Sequence, residues 1–182
     1  MTKQSSLVYA RLMRRGQGTL HIFSFKEGVL SAVAHDLRIR LDGFSATLEG
    51  DRVQAEFEWK GLVVEGPVLD GALRANDYDA GKRAEVEKAM HADVLRTQRY
   101  PKGAFFGTAS AEGDGFRVSG ELELTGRRAP LAFDVKRRGD TYSAEFELAP
   151  SRWGIAQYKA LLGAIRLKDR VRVQVELTES AT

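Results

Sequence analysis

The sequence predicts an all-β domain: a closed antiparallel barrel of about eight strands with one inserted amphipathic helix. Three observations lead there. Apolar and polar residues alternate along most of the chain. Turn-forming dipeptides separate the alternating runs, and a single stretch switches to helical spacing. Consecutive strands joined by tight hairpins form an antiparallel sheet, and closing that sheet removes its aggregation-prone edges.

The chain has 182 residues, which suits one domain able to bury about 70% of its unfolded surface. Residues 1–17 read as an N-terminal extension and 18–178 as the barrel. Cysteine is absent, so thiol catalysis, thiolate metal sites and disulfides are excluded. The 28 basic and 25 acidic side chains nearly balance, at a net charge of +3, which points to a solvated surface rather than a nucleic-acid binder. No run approaches the roughly 20 apolar residues of a membrane-spanning helix. Lys3, Arg11, Arg14 and Arg15 precede no signal-peptide core, so a chain starting at Met1 is expected in the cytoplasm, and in the periplasm if its N-terminus was trimmed.

Strands are expected around Leu20–Phe25, Leu37–Leu41 and Ala104–Ser110. Val53, Ala55, Phe57 and Trp59 share one face of another strand, opposite Gln54, Glu56, Glu58 and Lys60. The same alternation returns at Phe116–Leu124, Leu131–Val135, Tyr142–Leu148 and Val171–Leu177. Gly50-Asp51, Asp114-Gly115 and Gly139-Asp140 supply hairpin turns that tolerate positive φ. From Asp79 to Val94 the period changes: Val86, Met90 and Val94 recur at helical spacing, with Ala89 widening the stripe. Asp77 or Asp79 can cap its start, and Pro101 returns the chain to extended structure. Trp153–Leu167 is too long for a hairpin turn, and is either a lid at the barrel mouth or a loop packed under its own side chains.

Motifs for catalysis are weak. His21, His35 and His91 show no metal-ligand spacing. His35-Asp36 can orient an imidazole, but Ser31 and Ser45 lack a nucleophile-elbow context, which leaves a hydrolase or isomerase as the third-ranked reading. Gly16 and Gly18 lack the preceding strand and following helix of a phosphate cradle. Aromatic residues carry more information. Phe44, Phe57, Trp59, Phe105, Phe106, Phe116, Phe133, Phe146 and Trp153 mostly fall on the apolar phase of their strands. They either fill a core or line an apolar pocket.

Four passages, in order, resemble the YceI-like family of bacterial lipocalin-like, polyisoprenoid-binding proteins. They are Ser31 through His35, Asp36 and Leu37, followed by Phe44; Asn76-Asp77 through His91 to Leu95, ending at Tyr100, Pro101 and Phe105; Gly120 through Leu122, Leu124 and Gly126 to Pro130; and Arg152 through Trp153, Gly154 and Ile155. Together they span about Gly18 to Leu177. The resemblance implies a lipocalin-like barrel that binds or carries an isoprenoid, quinone, fatty-acyl or other amphiphilic lipid, without catalysis and with no metal or required cofactor. His35, Phe44, Phe105 and Trp153 are carried over as ligand-binding candidates on the matched passages. Phe57, Trp59 and Phe116 join them from the apolar strand phases. Trp153 stands where the family often has Phe. The expected partner is a hydrophobic small molecule rather than nucleic acid; transient contact with a membrane surface and a homodimer are compatible with it. The alternative is a barrel with a filled core that acts as a stress-related interaction module through its surface. Arg127-Arg128, Lys136–Arg138 and Arg166–Arg172 would then supply a basic face.

Overall fold

The structure is a computed structural model, and it describes residues 13–28, 36–160, 162 and 164–179. In chain order the strands are β1 Met13–Glu27, β2 Asp36–Glu49, β3 Arg52–Glu58, β4 Leu62–Leu69, β5 Ala72–Leu73, β6 Lys102–Glu112, β7 Gly115–Leu124, β8 Arg127–Arg138, β9 Thr141–Leu148, β10 Lys159–Ala160 and β11 Ile165–Glu179. Between β5 and β6 lies helix α1, Ala80–Ala89, continued by a wider π-type turn over Met90–Val94. Eight strands close into an antiparallel ring in the order β1-β2-β3-β6-β7-β8-β9-β11. Pairing of β1 with both β2 and β11 completes it. Short β5 and β10 pair outside the ring with β4 and β11.

The alternating sequence explains the wall. Leu20 and Ile22 of β1, Val118 and Leu122 of β7, and Val173 and Val175 of β11 turn inward, while the polar residues between them face out. The three expected hairpins form: Gly50 and Gly139 adopt positive φ, and at the third turn Gly113 takes that role. The helix also forms, with Asp79 as its cap, accepting a 2.9 Å hydrogen bond from the Lys82 amide. That bond is the first cause holding the Asp79 carboxyl below the usual carboxylate range.

Among the described residues the sheet departs from simple alternation at three bulges. Gly18 pairs with Phe44 and Leu20 with Leu41, so β2 carries one extra residue at Asp42–Gly43. Gly43 takes φ +80° there, and the bulge puts both Leu41 and Phe44 inside although they are three apart. In β4 the extra residue is Glu65, between Val64 and Gly66. In β11 the pairing jumps from Val171 to Leu167 while β1 advances from Ser24 to Lys26. β3 and β4 both lie along β2, which pairs with β3 over Ser45–Glu49 and with β4 over Asp36–Leu41. β6 accompanies only β3; beyond it α1 packs on β4, where Glu87 Oε1 accepts a 2.9 Å hydrogen bond from the Val64 amide.

β1 begins at Met13, so the last residues of the expected 1–17 extension belong to the barrel. Gly16 and Gly18 serve strand packing there. A Cβ on Gly18 would lie 1.9 Å from the Glu176 carbonyl oxygen of β11. Gly18→Ala should therefore force β1 and β11 apart at the closure and destabilise the fold by about 1–3 kcal/mol, read from the urea midpoint. An unchanged midpoint would show that the seam is not held this tightly.

Candidate functional site

The inward side chains do not fill the barrel. They enclose a cavity of about 760 Å³, within the range of small-molecule sites. Its wall is almost entirely apolar and draws on every strand of the ring, on α1 and on Pro150–Tyr158. Small residues leave the room: Ala46, Ala55, Ala109 and Ala144 all sit on the wall.

Of the sequence-derived candidates, Phe44, Phe57, Trp59, Phe105 and Phe116 line this cavity. Phe57 and Trp59 meet edge-on with ring centroids 5.1 Å apart, and Phe116 lies 6.3 Å from Tyr142. His35 falls outside the described residues. Trp153 is buried but is not on the cavity wall. Its indole Nε1 donates a 2.6 Å hydrogen bond to the Leu122 carbonyl, and its own carbonyl accepts one of 2.7 Å from Thr125 Oγ1. Both ends of the residue are thus tied to β7 and the turn that follows it, which pins Trp153 and its segment to the barrel there.

Lining residues outside the candidate set complete the picture. Phe105, Phe133 and Phe146 form a run across β6, β8 and β9, with centroid spacings of 5.6 and 4.6 Å. Val86, Ala89, Met90 and Val94 bring the apolar stripe of α1 and its following turn to the wall, as their helical spacing implies. Ile155–Tyr158 lines the cavity too, so the first part of the Trp153–Leu167 stretch borders the site. Charged side chains touch the cavity only in a few places, among them Lys82 and Glu85 on α1 and Lys168 and Asp169 on the β11 bulge. Asp169 accepts hydrogen bonds from the Ser151 amide, at 2.9 Å, and from the Ser151 hydroxyl.

A polar cluster sits on the opposite face of the β1–β2–β4 wall. Glu65, set out by its bulge, accepts a hydrogen bond from Arg38 and lies 3.5 Å from Arg40 and 3.6 Å from His21. Among the described residues no group of His, Asp and Glu is arranged to hold a metal ion. The other histidine described, His91, has Nδ1 3.2 Å from Thr97 Oγ1.

The chain that builds this barrel matches the YceI-like domain model over residues 22–178. The chain belongs to the YceI-like family. Solved structures share the fold at low identity. BcnA of Burkholderia cenocepacia superposes with a TM-score of 0.62 at 16% identity, covering 91% of this chain and 96% of that one. A polyisoprenoid binding domain from Saccharophagus degradans, implicated in plant cell wall breakdown, gives 0.61 at 12%, covering 93% and 98%. The YceI protein of Campylobacter jejuni gives 0.52 at 12%, covering 79% and 85%. No curated protein sequence matches. Among the described residues, no helix is long and apolar enough to cross a membrane.

Two expected outcomes test how this YceI-like wall is held. Trp153→Phe keeps the ring but strands the Leu122 carbonyl, and should cost about 1–3 kcal/mol in urea denaturation with little effect on what the cavity accepts. The pKa of His21 is lowered first by burial, with Arg38 and Arg40 acting in the same direction and Glu65 and Asp42 against it. The folded protein therefore binds fewer protons at His21 than the unfolded chain does, and stability falls as pH drops below about 6.5. Thermal melts from pH 7.5 to 5 should show a smaller acid loss in His21→Gln than in the parent; parallel profiles would refute this.

Proposed function

We propose that this protein binds or carries an isoprenoid or similar amphiphilic lipid inside its barrel, without chemically altering it. The observation that carries this reading is the cavity of about 760 Å³ with its apolar wall. Such a wall offers hydrocarbon and aromatic faces, which hold a chain by removing it from water. At roughly 0.8 kcal/mol per buried methylene, ten such groups contribute about 8 kcal/mol, enough to offset much of the lost ligand freedom. The alternation that makes the barrel places these same residues inside, so fold and binding surface have one origin. Membership of the YceI-like family, and a structural relative described as a polyisoprenoid binding domain, support the choice of ligand class. The open interior weighs against the alternative of a filled barrel acting through its surface. No cofactor is needed for binding of this kind. An isoprenoid, a quinone and a fatty-acyl chain are the ligands to try.

Native mass spectrometry of the purified protein, followed by solvent extraction, tests the reading directly. A discrete added mass that extracts as a lipid would support it. A bare 20.2 kDa mass that stays bare after incubation with quinones, polyprenols and fatty acids would defeat it. Ala144 lies on the cavity wall of β9, so Ala144→Trp should obstruct the tube from within. Uptake is expected to drop about tenfold or more, with the melting temperature nearly unchanged because the indole enters open space. Undiminished uptake by a folded Ala144→Trp protein would place the ligand elsewhere.

A further inference from the structure

Basic residues gather along one sector of the barrel end that carries α1. Three segments meet there: residues 95–103 leading into β6, 125–131 from β7 into β8, and 150–168 from β9 into β11. The first carries Arg96, Arg99 and Lys102, and the second Arg127 and Arg128. The third carries Arg152, Lys159, Arg166 and Lys168. None of these segments contains an Asp or a Glu.

Contacts join the segments into one surface. Tyr100 packs over Gly126, where a Cβ would stand 2.7 Å from its Cε1. Arg127 packs over Gly154 in the same manner, with Nε 2.7 Å from the place of a Cβ. Ser151 is hydrogen-bonded to Asp169 of the β11 bulge, and the Tyr158 carbonyl accepts a 3.1 Å bond from the Leu167 amide. Aromatic rings hold arginines at this surface. Arg96 and Arg99 stand 5.5 and 5.2 Å from the centre of the Tyr100 ring, and Arg152 stands 5.3 Å from that of Trp153. All three arginines are exposed. A guanidinium already placed over a ring gives up less freedom on meeting a phosphate, to which it offers paired donors.

The carboxylates around the sector do not cancel it. Glu58 lies 3.2 Å from Lys102, Glu123 lies 2.7 Å from Arg128, and Asp169 is taken by Ser151. Glu147 lies 3.7 Å from Arg170, Glu27 lies 3.5 Å from Gln157, and Asp36 accepts a bond from the Lys26 amide. Asp93 and Glu121 stand at its borders. The α1 side of the same end is mixed in sign: Asp70, Asp77, Asp79, Glu85 and Glu87 stand against Arg74, Lys82, Arg83 and Lys88. Residues 29–35, between β1 and β2, add no carboxylate.

The surroundings of the sector select its partner. The cavity reaches this end at Ile155, Gln157 and Tyr158, only a few residues beyond Arg152. Leu162, four residues past Tyr158, is fully exposed, at φ +56°. An anionic bilayer offers phosphates to the arginines and hydrocarbon to this leucine. A nucleic acid would need open aromatic faces for its bases, and Tyr100 and Trp153 already carry guanidinium groups.

We propose that this sector docks on the surface of an anionic phospholipid membrane and brings the Tyr158 end of the cavity to the bilayer. The choice of a membrane as the anionic partner rests on the proposed binding of a lipid in the cavity.

Flotation of the whole protein with lipid vesicles tests the docking. Vesicles of phosphatidylcholine with about 30% phosphatidylglycerol should hold the parent about tenfold more strongly than phosphatidylcholine alone. That preference should vanish at about 0.5 M salt. Arg96→Gln, Arg99→Gln and Lys159→Gln combined should remove most of it. Arg52→Gln, Lys136→Gln and Arg138→Gln combined remove the same charge at the other end of the barrel and should leave it intact. All six residues are exposed, so both variants should melt with the parent. No preference for the anionic vesicles, or equal losses in the two variants, overturns the docking face. Tighter binding of a single-stranded DNA oligonucleotide than of the vesicles overturns the membrane as partner. Ala144→Trp, which obstructs the tube, should still float with the vesicles, so a failure of lipid uptake and a failure of docking are read separately.

Discussion

Everything in this molecule depends on β1 pairing along both edges, with β11 on one side and β2 on the other. That double pairing turns an open sheet into a ring, and the ring has an inside. Once it closes, the face on which each residue stands is no longer a local matter. An inward side chain must face a common interior, and an outward one must face solvent or a neighbour on the same surface. Gly18, where β1 and β11 come closest to excluding a side chain, is the local expression of this constraint.

The bulges then adjust what closure imposes. Without the extra residue at Asp42–Gly43, Leu41 and Phe44 could not both face the cavity. Glu65 is displaced in the same manner and gathers Arg38, Arg40 and His21 on the far side of the wall. The β11 bulge carries Lys168 and Asp169 to the rim. Each irregularity re-aims particular side chains at a place where regular pleating would have aimed them elsewhere. In this barrel the departures from period two are where polar chemistry meets an apolar tube.

Those departures also explain what could be read from the sequence and what could not. Strands with unbroken alternation, such as Phe116–Leu124 and Val171–Leu177, were legible because period two is itself the signal. The α1 stripe was legible for the same reason at another period. β2 was legible only as far as Leu41, because the bulge resets the phase before Phe44. β4 was hidden by consecutive apolar residues, Leu62, Val63 and Val64, followed by an extra Glu65. Five of the candidate aromatics reached the cavity because an inward phase is visible in the residues alone. Trp153 did not, because hydrogen bonds to β7 and Thr125, absent from any linear pattern, decide its place. Ser24 shows the converse difficulty: a lone polar residue on an apolar phase reads as noise until closure shows what it faces.

The cavity has its own energetic logic. A cavity lined by apolar groups forfeits contacts that larger side chains would make, and each truncated side chain in a core weakens a fold. Ala46, Ala55, Ala109 and Ala144 on the wall are positions where a larger residue would add packing. The closed ladder, the buried apolar cluster that forms the wall, and the hydrogen bonds joining Trp153 to Thr125 and Leu122 remain to hold the barrel around the cavity. A chain inserted into the tube supplies the missing contacts and is bound by the same dispersion and dehydration that a packed core would use. Ligand occupancy should then raise unfolding stability in proportion to the logarithm of ligand concentration over its dissociation constant.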